Sequence, residues 1–312
     1  MPGITVTARV ATTFAPTGEL DENAFRHHLQ RFVDARVGVL LASCGSGEGG
    51  ALNHDELRRI YAIGVEVCHG KVLVGSNQPE QFTARASIEQ ALIAIDAGVD
   101  LVNIYGPYGL HGYKPTDTEY LRYFDRVLGE VHHPVSLCPH ASLGYSPSPW
   151  VLAAIANKYS QVEKIILSGI SGDSYFVELI DALRRDVDVY VRYDGALNTL
   201  GLGAAGIDVQ EANFVPATVR QYVDFYEAGR TADALAVYAD LKRITKINER
   251  WKPSSARWIK MALKTFKLPG GEGGLREPYL MPDESELAAF AEAMLALDVP
   301  EINDMAKAAG IT

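Results

Sequence analysis

Cysteine is scarce: Cys44, Cys68 and Cys138 are the three in 312 residues, far apart and with neither CxxC nor Cys/His ligand spacing. That excludes a disulfide framework and argues against a zinc site, leaving reduced thiols of a cytosolic protein as the expectation. Basic charge is also short, with 29 Lys and Arg against 39 Asp and Glu, a formal charge of −10 and no local basic patch. Such a chain repels phosphate backbones, so nucleic acid is not an expected partner. No apolar run approaches the ~18 residues of a membrane span, and the first ten residues lack a basic region followed by an apolar run. Neither a membrane segment nor a signal peptide is expected, and the expected location is cytoplasmic. What is present is ordinary globular composition, 47% hydrophobic and 22% charged, in a length that suits two domains or one large α/β barrel with additions.

Short β-branched runs alternate with longer stretches of helical periodicity, the pattern of βα units around a parallel sheet. Strands are expected near Thr5–Ala11, Val37–Ala42, Val72–Gly75, Leu101–Ile104, Val135–Cys138, Ile165–Leu167, Val187–Val191 and Ile207–Val209. Between them, Phe25, Leu29, Phe32 and Val33 form one helical stripe, and Tyr120, Tyr123, Phe124, Val127 and Leu128 another. Asn53 with Glu56, and Thr116 with Glu119, have the spacing of capped helix starts. The pattern predicts an α/β fold, a TIM (β/α)8 barrel over residues 1–230. A C-terminal helical region over residues 231–312 is expected to pack on it, with helices at Asp233–Arg250, Ser254–Thr265 and Glu284–Leu297 broken by Pro253 and the loop Pro269–Pro282. Trp251, Trp258, Met261, Phe266, Phe290 and Met294 there are expected in core or subunit packing.

A barrel of this kind keeps its active site at the carboxyl ends of the strands. The window after the second strand is the most distinctive, Ser43-Cys44-Gly45-Ser46-Gly47-Glu48-Gly49-Gly50 and then ALNHDE. Gly45, Gly47 and Gly50 satisfy GxGxxG, but a dinucleotide fingerprint needs its third glycine in the opening of a helix, and the helix cap here comes later, at Asn53. The run CGSGEGGALNHDE instead resembles the GTTGE-x-x-x-L-x-x-E/D-E signature of the dihydrodipicolinate synthase and N-acetylneuraminate lyase family. Ala11-Thr12-Thr13-Phe14, Gly106-Pro107-Tyr108, Ser171-Gly172-Asp173 and the stretch from Gly203 to Pro216 resemble further family landmarks, in the correct order along nearly the whole chain. The resemblance implies a lyase or aldolase-type enzyme, a barrel with a helical extension, a dimer or tetramer, and a small oxo acid or related carboxylate as substrate.

The resemblance also implies departures. The family's Schiff-base lysine at the end of strand six falls on Ser168, and Lys164 lies four residues, about 13 Å, toward the opposite end of the barrel. The proton-relay tyrosine falls on Cys138 or Leu137, the first signature threonine on Gly45, the second tyrosine after strand four on Gly109, and an arginine of the strand-five loop on Ser142. A Schiff-base mechanism is therefore not expected. Strand-end polar residues offer alternatives: Asn77, Asn103, Tyr105, His140, Ser168, Arg192, Asp194, Gln210, Glu211 and Asn213. We expect Gly45, Ser46, Gly47, Asn103 and Glu211 to bind substrate, and Tyr108, His140, Ser168, Arg192 and Asp194 to surround the reacting end. His140 can transfer protons or simply bond to backbone. Arg192 can bind a carboxylate or brace the rim. Glu48 reads as a structural carboxylate and Lys114 as a solvated loop amine. No metal or cofactor is implied. A catalytically silent ligand-binding barrel, or a hydrolase or isomerase using His140 and Asp194, are the other readings.

Overall fold

The computed structural model describes residues 3–169, 172–251 and 255–311. Eight parallel strands close into a barrel in chain order: β1 (Thr5–Arg9), β2 (Gly38–Leu41), β3 (Val74–Asn77), β4 (Leu101–Tyr105), β5 (Val135–Cys138), β6 (Val162–Leu167), β7 (Asp188–Arg192) and β8 (Gly206–Asp208). Every expected strand is present. The start of β6 moves earliest, to Val162, because Glu163 and Lys164 extend it with charged residues that do not read as strand formers.

Around the barrel run α1 (Glu22–Asp34), α2 (His54–Cys68), α3 (Ala84–Asp96), α4 (Asp117–Leu128), α5 (Pro149–Lys158), α6 (Asp173–Ala182), the single turn α7 (Ala196–Thr199) and α8 (Pro216–Glu227). Both expected capping boxes form: Asn53 accepts from the Glu56 amide and Thr116 from the Glu119 amide, while each glutamate accepts from the cap residue's amide. The stripe Tyr120, Tyr123, Phe124, Val127 and Leu128 is buried, as are Phe25, Leu29 and Phe32 on α1.

Inside the barrel, side chains alternate with those facing the helices. Leu40, Ile166 and Tyr190 form an apolar layer there, Leu40 pairing with Gly75 and Ile166 with Tyr190 across the strands. Two residues further along β6 and β7 the same parity reaches Ser168 and Arg192, at the carboxyl end where the layer becomes polar.

The C-terminal region consists of α9 (Thr231–Asn248), α10 (Ser255–Thr265), α11 (Glu284–Leu295) and α12 (Pro300–Ala309). Three of these were expected; α12 was not, although Pro300 in its first turn and Gly310 at its C-cap, with φ 72°, are the usual marks of a short helix. The region is fastened to the barrel by Phe214, whose ring lies 5.0 Å from that of Phe266 and 6.4 Å from that of Phe290. Glu301 of α12 also accepts from the Ala217 and Thr218 amides, supplying the N-terminal cap that α8 does not provide itself. Trp258, Met261, Phe266, Phe290 and Met294 are buried, and Trp251 packs 5.3 Å from the Phe290 ring.

Candidate active site

A cavity of about 590 Å³ opens at the carboxyl ends of the strands, walled by the barrel rim on one side and by α9 and α10 on the other. Its floor is a residue that the sequence analysis did not single out. Arg9, the last residue of β1, is fully buried yet lines the cavity. Its Nη1 makes a 2.5 Å ion pair with Asp208 Oδ2 at the end of β8 and donates to Ser168 Oγ at 2.9 Å, beyond the end of β6. Its Nη2 reaches Cys138 Sγ at 3.5 Å, at the end of β5. Its Nε has no hydrogen-bond partner among the described residues. Burial alone pushes a guanidinium toward losing its proton, but the charge of Asp208, with Tyr105 and Cys138, more than offsets this and holds the Arg9 pKa above its ordinary value.

Two other neighbours of Arg9, Cys138 and Tyr105, are held in their neutral forms. Burial pushes the Cys138 thiol up to about 11, Asp208 and Glu80 reinforcing and Arg9 opposing, so a thiolate is not the resting state. Burial likewise raises Tyr105 well above the ordinary phenol value. Below them a chain of buried amides and a hydroxyl fills the barrel: Ser136 Oγ donates to Asn103 Oδ1 at 2.5 Å, and Asn103 Nδ2 donates to Asn77 Oδ1.

His140 caps the short turn Ala141–Leu143, its Nδ1 accepting from the Ser142 amide at 3.0 Å. A ring nitrogen that accepts from a backbone N–H carries no proton, so the neutral imidazole is the Nε2–H tautomer. Desolvation, then the charges of Arg9 and Arg192, lower its pKa to about 3, so the ring is a neutral donor at pH 7. Ser142 Oγ lies 2.6 Å from the same Nδ1 and 3.0 Å from Glu80 Oε1, which brings a carboxylate to the cavity wall beside the imidazole.

Of the residues expected at the site, Gly45, Ser46, Tyr108, His140, Arg192 and Glu211 line this cavity. Tyr108 stands at the mouth, its ring edge-on to Phe82 at 5.2 Å. Glu211 is buried and accepts from Thr245 Oγ1 at 2.7 Å. Gly47 sits behind the wall: a Cβ there would meet the Ser43 amide nitrogen at 2.8 Å, and its carbonyl accepts from Thr12 Oγ1. Asn103 lies a layer below the cavity and Ser168 beneath Arg9, so neither is on the wall. The side chain of Asp194, and Ser171 in the turn after β6, lie outside the described residues. Of the two residues aligned with the missing tyrosine, Cys138 faces the interior and Leu137 packs toward the helices.

Among the described residues no lysine lines the cavity. Lys164 is paired with Asp188 at 2.6 Å at the amino end of β6, and Lys114 is exposed. Lys260 is buried against Glu48 at 3.1 Å and donates to the Gly274 carbonyl. Glu48 also accepts from the Arg276 amide, so it braces the loop onto the C-terminal region.

Besides Arg9, the cavity is lined by Glu80, Thr245, Asn248 and Ser255, none of them expected from the sequence, and by Trp258, which was expected only in packing. The signal for Arg9 was available: a charge inside the run TVTARVA can be buried in a strand only if something pairs it.

A closed (β/α)8 barrel with polar strand ends and a cavity roofed by C-terminal helices defines the class of protein. The model of the Dihydrodipicolinate synthetase family matches residues 3–297, and the chain belongs to that family, whose members are lyases. It is 28% identical over 268 residues to 4-hydroxy-tetrahydrodipicolinate synthase of Protochlamydia amoebophila, covering 83% of this chain and 86% of that one. It is 29% identical over 243 residues to an uncharacterized DapA-like lyase of Pyrobaculum arsenaticum, covering 76% and 77%. In fold it is similar to dihydrodipicolinate synthase DapA-2 of Bacillus anthracis, with a TM-score of 0.85, 21% identity and coverage of 96% and 99%. The prophage protein YagE of E. coli K12, solved in complex with pyruvate, matches with a TM-score of 0.84, 23% identity and the same coverage.

Proposed function

We propose that this protein is a lyase that acts on a small oxo acid or related carboxylate without forming a lysine imine. The observation that carries the reading is the Arg9 guanidinium, which occupies the space over Ser168 and bonds to its Oγ at 2.9 Å. An imine draws electrons through a covalent bond, whereas a guanidinium can do so only by stabilising a charged oxygen. Carbon–carbon cleavage next to a carbonyl, and loss of a leaving group β to it, share an enolate. Arg9 and Arg192 supply positive charge to the carboxylate and to the developing enolate oxygen. His140, neutral and protonated on Nε2, donates a hydrogen bond to the same oxygen. Glu80 takes the proton whose departure starts the reaction, and the electron pair released comes to rest on the oxygen held by the cations. Gly45 and Ser46 shape the carboxylate end, with Tyr108 at the entrance.

The chain is further read as a cytoplasmic dimer or tetramer, which light scattering of the purified protein tests. Among the described residues no helix is long and apolar enough to cross a membrane.

The reading is tested by incubating the protein with pyruvate, reducing with borohydride and measuring the intact mass. No adduct is expected. An adduct mapped to any lysine, Lys252 included, would overturn the proposal.

A further inference from the structure

We propose that Asn248 sets the specificity of the cavity by reading a neutral donor–acceptor group, a carboxamide or an equivalent, on a monocarboxylate ligand. Asn248 is the last residue of α9, 2% exposed, and part of the cavity wall, yet neither Nδ2 nor Oδ1 has a hydrogen-bond partner among the described residues. A buried carboxamide left unpaired on both atoms is expensive, and native structures keep such groups where a ligand or water completes them. Thr245, one turn earlier on the same face, is anchored to Glu211 at 2.7 Å, and Ser255 opens α10 beside the cavity.

The chemistry of the partner follows from what Asn248 offers. It presents one donor group and one acceptor, so a ligand carboxamide can meet both at once, as paired amides do. A second carboxylate would satisfy the donor alone and set an anion against Oδ1. It would also come close to the carboxylate of Glu211, which is bonded to Thr245 one turn before Asn248. The positive charge of the cavity is on Arg9 and Arg192. The assignment of the ligand's carboxylate to the arginines rests on the function proposed above, whereas the reading of Asn248 stands on its own unpaired atoms.

The test uses unreactive probes, so that binding is separated from turnover. Succinamate, glutaramate and adipamate are titrated against the protein, following tryptophan fluorescence or heat. Each is compared with its dicarboxylate and with the branched alkanoate of the same shape, which for glutaramate are glutarate and 5-methylhexanoate. The best-fitting amide should bind at least about tenfold more tightly than both partners, the expected effect of pairing two otherwise orphaned atoms. Asn248→Leu should erase the preference for the amide over the alkanoate, the amide then binding no more tightly than the alkanoate. Asn248→Ser, a smaller change, should do the same if the leucine variant does not fold. Equal binding of amide and alkanoate by the wild type, a preference that survives in both variants, or no binding by any amide would overturn the proposal. Arg192→Met separates the two readings. If the amide preference persists while overall affinity is unchanged, the arginine anchor has failed and the role of Asn248 has not.

Discussion

At the scale of single residues, the buried pair of Arg9 and Asp208 carries a stability liability as well as the chemistry proposed for it. Two charges in a dry interior are held by each other, and removing one leaves the other uncompensated, at about 3–5 kcal/mol. Arg9→Met is therefore expected to lose that much in urea unfolding at pH 7, and Arg9→Met combined with Asp208→Leu to regain most of it. A single variant as stable as the wild type would mean that the pair carries no such load. His28 on α1 gives a second prediction. It is fully buried, 3.3 Å from Asn213 Oδ1, and desolvation and Arg31 lower its pKa to about 3. The unfolded chain takes up this proton near pH 6.5, so its contribution is complete above that value and is lost as pH falls toward 3, by up to about 1.4 kcal/mol per pH unit. His28→Gln should flatten stability against pH between pH 4.5 and 6.5 by close to one proton; an unchanged slope would refute the assignment. These residues also mark the limits of the sequence. Asn53, Thr116 and His140 were legible because their partners lie two or three positions away. Arg9 could be flagged as a charge inside a strand, but what it meets could not be read, because its partners lie 129 and 159 residues downstream and on β8, which joins β1 only when the barrel closes.

At the scale of elements, the glycine-rich loop after β2 is a packing device. Ala42 has φ 67° and Glu48 φ 50°, and a Cβ on Gly49 would lie 1.9 Å from the Ala42 carbonyl oxygen, so the loop closes on itself too tightly for any side chain there. Its far end is tied down by Arg276, whose guanidinium meets both oxygens of Glu56, donates to the Gly18 and Ala51 carbonyls and lies 4.4 Å from the Phe14 ring. Glu56 thus caps α2 and also holds the 269–282 loop. Asn53→Ala should cost about 1 kcal/mol as a lost cap. Glu56→Ala should cost a further 1.5–3 kcal/mol or so for the charged hydrogen bonds, measured by chemical denaturation of both variants. Equal losses would show that the arginine contributes nothing. The strands were readable because β-branched runs report burial locally. The 269–282 loop was read only as a break, because Arg276 finds Glu56 220 residues away.

At the scale of the whole molecule, the helical region is part of the barrel's structure and of its site. Phe214, in the turn after β8, packs on Phe266 and Phe290, while Arg31 of α1 donates to the Asn213 and Phe214 carbonyls and touches Met305 of α12. Glu301 caps α8, and Thr245, Asn248, Ser255 and Trp258 complete the cavity wall. Elements that share a core and each other's caps cannot unfold one at a time without exposing unpaired groups on the remainder, so residues 1–230 and 231–312 are expected to melt together. The chain's three tryptophans make this measurable, because Trp150 is the only one in the barrel and is more than half exposed. In a Trp150→Phe variant, fluorescence reports on Trp251 and Trp258 alone, while far-UV circular dichroism reports on all helices and strands. Denaturation followed by the two signals should give coincident midpoints and slopes. A fluorescence transition that precedes the loss of circular dichroism would mean that the helical region leaves a barrel able to stand alone, and the cavity would then be an interface between two independently folding parts.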